Sequence, residues 1–497
     1  MSKKIRALCL LLALLMVASV FVACGDTGDA EESGTQAGTK ENVTEVETDP
    51  VEDALASLRE EANWGDNDFG ILYVNDIGGY TEEVEAEAKA SNTTSSSVIN
   101  DAVFERNTLF EEYCNLNFVL IPVSNGAVTG RLQGEVQTAT GDFHLVTTTT
   151  DATTKYATGG QLYNYLDLDI DFEDKVWWDR GTLDFALDGR VFFMNGPFNI
   201  VDDDVTFVLM FNKELAGEYQ VPNLYETVRS GDWTLPYFNE TISELATDNG
   251  DGTWDEKDTY GFAGPNTVGD TFFYGAGLRY VINDRESDAP SLVLSDKMDQ
   301  ALDVLDIARS VIHENNSTYV APHGQEAVAT QVFVQGRSLF YCEAASYLRG
   351  LNANMEKEYG VVPPPKYNKE QANYATWSHS IGSTLSIPTS VAKGDMELFA
   401  RVLETYTVLS QKLVRPAYYE VMLTTRNVHD VESAEMLDLI FANRTYDMAI
   451  YFSELGFSGL FANAVANAGN NFSSQYAANS KSFDKKVANI LRRLQKK

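Results

Sequence analysis

The stretch FGILYVND, Phe69 to Asp76, is a short apolar run that ends in a polar turn. This pattern is typical of a parallel strand that is buried on both faces. Two further runs repeat it: LNFVLIPV at 116–123, and Phe143 to Val146 within GDFHLVTTTTD. Residues 98–114, between the first two runs, carry apolar side chains at helical spacing. The alternation of strand and helix predicts βαβ units, and therefore an α/β fold with helices on both faces of a sheet.

Strand-like runs continue further along the chain. They are GRVFFMNG at 189–196 and DVTFVLMFNKEL at 204–215, and a part rich in helical patterns follows. The chain has 497 residues and is 44% hydrophobic, which is enough for two or three domains. Its net charge of −36 argues against nucleic acid as a partner, because phosphate binding needs clustered Lys and Arg.

The N-terminus has the pattern of a secretory signal. Basic residues precede the apolar run Ala7 to Val22, and a small residue, Ala23, precedes Cys24. The stretch also resembles a bacterial lipoprotein signal, which implies removal of residues 1–23 and lipidation of Cys24. An uncleaved anchor helix is the alternative. Residues 24–62 have almost no large apolar side chain, so we expect a disordered acidic tether and a folded body from about Asn63.

Two cysteines, Cys114 and Cys342, remain in the predicted mature body. They either form a disulfide or are buried free thiols, and the second interpretation is preferred because two cysteines do not make a disulfide framework.

Motifs of common enzyme classes are absent from the sequence. The five histidines form no HExxH pair, and neither a GxSxG elbow nor a GxxxxGK[ST] loop occurs. We therefore expect no catalytic residues and no cofactor. A secreted carbohydrate-active hydrolase stays open as an alternative, since the 73 carboxylates could include an acid/base pair.

The order of eight segments resembles the family-one extracellular solute-binding proteins of ABC importers, a group that includes sugar binders. The similarity covers about residues 64–452. The sequence departs from the family pattern at two positions: Pro364 stands where an aromatic residue is usual, and Phe211 stands where Tyr is usual. The segments are NDAVFERN (100–107) with FEEYCNLNFVLI, KVWWDRGTLDFALDGRVFF (175–193), FVLMFNKEL, SGDWTLPYF, VFVQGRSLFY, GVVPPPKYN, LSIPTS and VHDVESAEMLDLIFANRTYDM.

This resemblance implies a two-lobe periplasmic-binding-protein-like fold of type II. The chain would cross between the lobes near Asn195 to Asp204, Phe340 to Glu343, and Leu385 to Thr389. The N-terminal lobe would then comprise 63–195 plus 343–388, and the C-terminal lobe 196–342 plus 389–497. A small ligand, most simply a carbohydrate, would bind in the cleft for delivery to an ABC transporter permease. The lipid at Cys24 would hold the protein at the extracellular face of the membrane. The same fold could instead serve a non-sugar nutrient.

Polar residues at strand ends are the first candidates for ligand binding, because open α/β sheets bind ligands beyond the carboxyl ends of their strands. Asp76 follows the first predicted strand and could accept sugar hydroxyls, or it could close a turn. Thr149, Thr150 and Asp151 follow the third predicted strand and could form a polar rim for a neutral ligand. Their alternative role is local bonding within a turn.

Aromatic residues near the expected crossings are further candidates, because sugar rings stack on aromatic rings. Trp377, with His379 beside it, is the first choice and Tyr274 the second; a place in the core is the alternative for Trp377. Trp178 would either face the cleft or bury a seam between the lobes. Glu343 would contact the ligand or be a solvated helix charge.

The stretch TDNGDGTWDEKDTYGF, Thr247 to Phe262, has the spacing of a calcium-binding loop. With Gly252 at position 6, the oxygen ligands would come from Thr247 and from Asn249, Asp251, the Thr253 carbonyl, Asp255 and Asp258. A structural calcium ion is one interpretation, and a turn between a helix and a strand is the other. The basic C-terminal helix, Lys481 to Lys497, would either touch an anionic membrane or pack on its own lobe.

Overall fold

The apolar runs form strands in two separate sheets of one compact unit, Asp49–Lys497, in the computed structural model. The structure describes residues 49–86, 98–243, 245–265, 268–283, 290–314, 316–321, 324–423, 431–467, 469 and 471–495. The predicted signal, Cys24 and the start of the predicted tether lie outside these residues. None of the described helices has both the length and the apolar character needed to cross a bilayer.

The strands, in chain order, are β1 (Asn67–Val74), β2 (Leu116–Val123), β3 (Leu145–Thr149), β4 (Phe207–Asn212), β5 (Tyr260–Pro265), β6 (Val281–Ile282), β7 (Ser291–Leu292), β8 (Thr318–Ala321), β9 (Ser338–Ala344), β10 (Tyr359–Val362), β11 (Thr376–Trp377), β12 (Ser383–Ser386) and β13 (Arg444–Thr445).

The α-helices, in chain order, are α1 (Pro50–Glu61), α2 (Tyr80–Val84), α3 (Val98–Cys114), α4 (Val128–Thr138), α5 (Thr150–Thr158), α6 (Ile200–Asp204), α7 (Lys213–Glu218), α8 (Leu224–Arg229), α9 (Leu235–Ser243), α10 (Gly269–Gly275), α11 (Met298–Arg309), α12 (Glu326–Val334), α13 (Tyr347–Asn354), α14 (Met396–Leu423), α15 (Val431–Ala442), α16 (Met448–Tyr451), α17 (Leu460–Ala466) and α18 (Phe472–Gln495).

The first lobe is built on a four-stranded sheet with the order β12-β3-β1-β2. β1 pairs in parallel with both β2 and β3, whereas β12 pairs antiparallel with β3. β3 runs to Thr149 rather than ending at Val146 as predicted, because the β-branched threonines fit a pleated strand and are buried between neighbours. The carboxyl ends of the three parallel strands therefore lie at one edge.

The second lobe is built on a five-stranded sheet with the order β10-β4-β9-β5-β8. β9, β5 and β8 are parallel, while β4 is antiparallel to β9 and to β10. Aromatic side chains fill its interior, for example Trp233, whose ring centroid is 5.5 Å from that of Phe340. Each lobe thus has a parallel core extended by antiparallel strands, which is a mixed α/β architecture.

Three passages of chain link the lobes; the first lies where the sequence predicts it, near Asn195 to Asp204, and the other two do not. The first runs from 195 to 206, between the last contact with the first sheet and β4. The second runs from 363 to 382, because β10 lies in the second sheet and β12 in the first. The expected crossing at Phe340 to Glu343 is wrong, since β9 stays within the second sheet over its whole length.

The third passage is the long helix α14. It packs on α1 and α3 of the first lobe and, further along, on α13 and α15 of the second. The expected crossing at Leu385 to Thr389 therefore comes too early, and residues 343–362 and the first part of α14 are assigned to the wrong lobes. The reason is physical: which sheet a strand joins depends on long-range hydrogen bonding, which a local apolar run does not encode.

The predicted tether is shorter than expected, because α1 lies within it. Asp49 caps the helix by accepting a hydrogen bond from the Val51 N–H at 2.9 Å, and Pro50 occupies the first helical position. Leu55 and Leu58 are buried against the first lobe. The folded body thus begins near Asp49 rather than Asn63, since two leucines one helical turn apart are enough to seat a short helix.

Each lobe holds one of the two remaining cysteines, and both are buried free thiols, as preferred from the sequence. Cys114 ends α3 in the first lobe, and Cys342 lies in β9 of the second lobe. The C-terminal helix α18 buries its apolar face, including Phe483, Ile490 and Leu494. It packs on α17 of the second lobe, as predicted, and also on α5 of the first.

Candidate functional site

A groove opens beyond the carboxyl ends of β2 and β3, where open α/β sheets bind ligands. Its volume is about 700 Å³, and we call it the first compartment. Neutral amides and hydroxyls dominate its wall. The lining residues are Asn125, Thr129, Gln133, Val136, Gln137, Thr149, Asp151, Ala152, Lys155, Tyr156, Gly159 and Gln161.

A second compartment of about 360 Å³ adjoins the first along α5. It lies between the first lobe and the C-terminal segment that packs on the second lobe through α17. The two compartments share Asp151, Lys155 and Gly159, so they form one continuous groove, the α5 groove. The lining residues of the second compartment are Asp151, Thr154, Lys155, Thr158, Gly159, Tyr451, Phe452, Ser453, Glu454 and Arg493.

The threonine run positions α5 at the end of β3. The Thr149 side chain accepts a hydrogen bond from the Ala152 N–H at 3.3 Å and so caps the helix. The Thr150 hydroxyl donates to the carbonyl of Gly382 at 3.0 Å, which ties the start of the helix to the second passage. As a result, α5 projects Asp151 and Lys155 into the groove from a fixed base.

The first compartment offers both donors and acceptors without net charge. Gln133 and Gln137 lie four residues apart on α4 and therefore share one helix face. Side-chain amides donate and accept hydrogen bonds at once, as a sugar hydroxyl requires of its partners. The Tyr156 hydroxyl lies 3.0 Å from the Thr129 hydroxyl, which orients both at the groove wall. This chemistry suits a neutral polyhydroxylated ligand.

The second compartment has four charged side chains that balance each other. Asp151 pairs with Lys155 at 2.5 Å, and Glu454 pairs with Arg493. Both pairs are substantially exposed, so they contribute little to stability and can rearrange around a ligand. Each carboxylate therefore has a cationic partner. The catalytic acid of a glycosidase instead needs apolar surroundings, which keep its carboxyl protonated.

Contacts between the lobes border this compartment. The Thr154 hydroxyl lies 3.4 Å from the carbonyl oxygen of Tyr451. The Tyr451 hydroxyl in turn donates to the carbonyl of Ser378, in the second passage, at 2.7 Å. The groove is therefore connected directly to the segments that would have to bend if the lobes moved.

Among the residues predicted at strand ends, Thr149 and Asp151 line the groove. Asp76 lies at its edge, where its carboxylate accepts a hydrogen bond from the Asn125 N–H at 2.7 Å and holds the turn after β2. Thr150 is buried beneath the groove. The turn-closing alternative thus describes the contact that Asp76 makes in the structure.

The predicted aromatic residues lie elsewhere, in the core. The Trp377 ring is 4.7 Å from the Phe207 ring with planes 3° apart, and its Nε1 donates to Thr271 Oγ1 at 3.2 Å. Tyr274 is buried beside it, with ring centroids 5.9 Å apart. Burial lowers the pKa of His379, whose ring centroid is 5.8 Å from that of Trp377. In this arrangement none of the three faces the α5 groove.

Trp178 and Glu343 are also buried away from the groove. Trp178 packs at 5.1 Å from Phe172 and lines a cavity of about 390 Å³ beside the passages, which corresponds to the seam interpretation. Glu343 is 8% exposed in β9, and burial raises its pKa to about 7. It is not a solvated helix charge, because β9 continues through it.

The acidic loop after α9 uses its own oxygens to hold its backbone. The Asp258 carboxylate is fully buried and accepts hydrogen bonds from the N–H groups of Asn249 at 2.8 Å and Asp255 at 2.7 Å. Asn249, Asp251 and Asp255 each accept from the N–H two residues further on. Among the described residues, no group of three or more His, Cys, Asp or Glu is arranged to hold a metal ion. These hydrogen bonds are those of the turn interpretation, and calcium binding stays a prediction.

Several groove residues were not predicted. Lys155 follows Asp151 by one helical turn, and Gln133 and Gln137 carry the same i, i+4 signal, so helical spacing after the strand ends could have found them. Arg493 and Glu454 carry no comparable signal, because only the tertiary packing of α18 brings the C-terminus to α5.

The fold is shared with solved structures of binding proteins. The sugar-binding protein MalE from the phytopathogen Xanthomonas citri is 13% identical, with a TM-score of 0.56 over 85% of this chain and 97% of that one. The ABC substrate-binding protein Lmo0181 from Listeria monocytogenes, solved in complex with cycloalternan, is 13% identical, with a TM-score of 0.52 over 85% and 99%.

UgpB from Mycobacterium tuberculosis, solved in complex with glycerophosphocholine, is 17% identical, with a TM-score of 0.51 over 78% of this chain and 95% of that one. No family model and no curated protein sequence matches the chain. The sheet topology, the three passages and these similarities together show that the chain has the two-lobe fold of extracellular solute-binding proteins.

Proposed function

We propose that the protein is an extracellular solute-binding protein that captures a carbohydrate in the α5 groove and delivers it to an ABC importer. The observation that carries the proposal is the lining of the first compartment. This compartment lies at the carboxyl ends of first-lobe strands, and neutral amides and hydroxyls dominate its wall. The similar structures include a sugar-binding protein and a complex with cycloalternan, and these support the sugar class.

A binding role is favoured over hydrolysis by the groove's own charges. Asp151 and Glu454 are both paired with bases. Hydrolysis would need one carboxyl poised as an acid and a second as base or nucleophile at a fixed separation. Incubation with oligosaccharides tests this point: unchanged sugars support binding, and released products would overturn it.

The ligand is tested by calorimetric titration with a panel of neutral mono- and oligosaccharides. We expect saturable binding, and we expect the double variant Gln133→Ala/Gln137→Ala to weaken it about tenfold or more, since each lost hydrogen bond contributes about 0.5–1.5 kcal/mol. Gln331→Ala, which removes an exposed helical glutamine of the second lobe, is the matched control and should bind as the wild type does.

Glycerophosphodiesters belong in the same panel, because UgpB shares the fold and was solved with glycerophosphocholine. Binding of such a compound with no response to sugars would replace the carbohydrate proposal with a non-sugar nutrient. Binding that survives the Gln133→Ala/Gln137→Ala change unaltered would instead place the ligand outside the first compartment.

The lipid anchor at Cys24 completes the proposal. Its support is the signal-like pattern of residues 1–24, which lies outside the described residues. We expect the wild type to fractionate with membranes and a Cys24→Ala variant to appear in the soluble fraction. Equal membrane association of the two proteins would contradict lipidation at this residue.

A further inference from the structure

Three consecutive acidic residues lie buried in the first passage between the lobes. Asp202, Asp203 and Asp204, in and at the end of α6, are 2%, 4% and 8% exposed. Burying even one carboxylate is costly unless it is paired and hydrogen-bonded. A run of three at a point where the chain passes between lobes therefore points to a role in the passage itself.

The three carboxylates bind different segments of the hinge. Asp202 accepts a hydrogen bond from the Ser378 hydroxyl, in the second passage, at 2.8 Å. Asp203 pairs with Arg415, in the third passage, at 2.6 Å. Because Asp202 and Asp203 belong to the first passage, these contacts join all three passages at one place.

Arg444 lies against the same carboxylates from β13. It pairs with Asp203 at 2.6 Å, with Asp202 at 3.2 Å and with Asp179 at 2.6 Å. The Tyr446 hydroxyl lies 2.7 Å from the Asp202 carboxylate and 2.8 Å from that of Asp179, and it can donate its one proton to either of them. This side of the cluster is therefore well supplied with donors.

The Asp204 side of the cluster is held more loosely. Its carboxylate accepts from the Tyr418 hydroxyl of α14 at 3.0 Å and pairs with Arg349 of α13 at 3.3 Å. Arg349 also pairs with Glu82 of α2, in the first lobe, at 2.6 Å. The charged groups facing Asp204 are thus Arg349, Glu82 and its neighbour Asp203, with Tyr418 as its hydroxyl donor.

This cluster contains more carboxylates than guanidinium groups. Three guanidinium groups face five carboxylates, so two negative charges lack a partner of their own. The guanidinium groups belong to Arg349, Arg415 and Arg444, and the carboxylates to Glu82, Asp179, Asp202, Asp203 and Asp204. In a buried site such an excess is relieved either by binding a proton or by admitting water.

We propose that this cluster is a proton-sensitive hinge, in which the packed arrangement of the three passages holds a proton on Asp204 and loss of that proton favours an arrangement that exposes the carboxyl to water. The inference concerns the passages alone and does not rest on the proposed ligand. Burial raises the pKa of Asp204 to about 7, with Arg349 and Tyr418 acting in the opposite direction.

The direction of the pH dependence follows from linkage. In the packed arrangement the Asp204 pKa is about 7, whereas a hydrated carboxyl has an ordinary value of about 4. The packed arrangement is therefore favoured at low pH, and its advantage falls by up to tenfold per pH unit as pH rises from about 4 to 7. Above that range the advantage is constant.

Hydrogen–deuterium exchange of the full, ligand-free chain tests the proposal. The readout is the protection of peptides that span 199–206, 376–382 and 414–419, corrected for the intrinsic exchange rate at each pH. We expect protection in the wild type to fall roughly tenfold or more between pH 5.5 and 7.5. Asp204→Asn should make this fall clearly smaller, because the neutral amide cannot lose a proton. The part that remains belongs to Glu83, which accepts from the Val201 N–H of the same passage and whose pKa burial raises to about 8. Equal protection of the wild type at both pH values would overturn the proposal.

A matched control separates the hinge from other buried acids. Burial also raises the pKa of Asp270 to about 7, but Asp270 lies in α10 and accepts from the Ala462 N–H in the second lobe. Asp270→Asn should therefore leave the fall in hinge protection unchanged. If it reduced the fall as much as Asp204→Asn does, the effect would be general destabilisation and the hinge proposal would be wrong.

A second variant decides the question if Asp204→Asn does not fold. Arg349→Gln removes the cation that favours the charged form of Asp204, so the fall in protection should move to higher pH. An unshifted or lowered midpoint in Arg349→Gln would contradict a role for Asp204 in the hinge.

Discussion

The Trp377 indole lies flat on the Phe207 ring and has a hydrogen-bond partner for its N–H, so its environment is that of a core residue. Its sequence position, just before the second lobe-to-lobe passage ends, made it the first choice for stacking on a sugar. A large aromatic ring serves either purpose equally well from its chemistry alone. Only its neighbours, here Phe207 and Thr271, decide between the two.

Trp377→Ala is expected to destabilise the protein by about 3–5 kcal/mol, because it removes a buried ring and leaves a cavity. Urea unfolding at pH 7 measures the loss. Trp377→Phe keeps the stack on Phe207 and should be markedly milder, losing mainly the hydrogen bond to Thr271. If the Trp377→Ala protein has wild-type stability but binds sugar more weakly, Trp377 stacks on the sugar and is not a core residue.

The acidic loop shows, at the scale of an element, how one side chain organises a turn. Asp258 accepts two backbone N–H groups from opposite arms of the loop, those of Asn249 and Asp255. Hydrogen bonds to a charged acceptor are stronger than neutral ones, and buried donors are costly to leave unmade. The spacing that resembles a calcium loop is thus also the spacing of a loop in which acidic side chains accept hydrogen bonds from the loop's own backbone.

Asp258→Ala is expected to cost about 2–4 kcal/mol of unfolding free energy, since it orphans two N–H groups. Asp251→Asn, in the exposed part of the loop, keeps its acceptor oxygen and should change stability by less than about 0.5 kcal/mol. Calcium at millimolar concentration should leave the melting temperature of the wild type unaltered. A clear calcium-dependent increase would favour the ion over the turn interpretation.

Helix α1 is the second element whose role can be measured. Leu58 is 4% exposed against the first lobe, so Leu58→Ala should destabilise by about 2–4 kcal/mol. Glu60→Ala, on the exposed face of the same helix, is the control and should be close to neutral. If Leu58→Ala leaves the free energy of unfolding unchanged, residues 50–61 belong to the tether that the composition predicts.

Local pattern was sufficient for the strands but not for the sheets they join. The runs at 69–74 and 116–123 coincide with β1 and β2, because an apolar run between polar turns is short, buried and extended in almost any context. The placement of β10 and β12 in different sheets depends on pairing with β4 and β3, which are far away in sequence. The same limit applies to the site. Thr149 and Asp151 could be predicted because they lie at the end of a strand, whereas Arg493 reaches the groove only through the packing of α18.

For the whole molecule, buried acids dominate the dependence of stability on pH. Burial disfavours their charged forms and raises their pKa values: Glu83 (about 8), Asp204, Asp270 and Glu343 (about 7 each) and Asp447 (about 6). The native state therefore binds protons that the unfolded state has already released. Burial lowers the pKa values of His144 and His379, which act in the opposite sense only as pH falls below about 6.5.

The free energy of unfolding is expected to fall by about 2 kcal/mol or more between pH 6 and pH 8, as these carboxyls ionise in the native state. Urea midpoints across this range measure the change. Glu83→Gln should flatten the profile, because a neutral amide takes no part in the titration. A profile that rises over the same range would show that these groups are hydrated in the native state.

A ribosome releases all five strands of the second sheet, the last of them ending at Val362, before it releases β12 and α14 of the first. The first lobe, although begun earliest, must wait for its edge strand and for the helix that places Tyr406 against Phe110, with ring centroids 5.2 Å apart. Domains usually mature from the N-terminus onward during synthesis. Here the later-encoded lobe completes its sheet first, so a nascent chain that has left the ribosome only as far as about residue 370 would carry a finished second sheet beside a first lobe whose Cys114 is still open to thiol reagents.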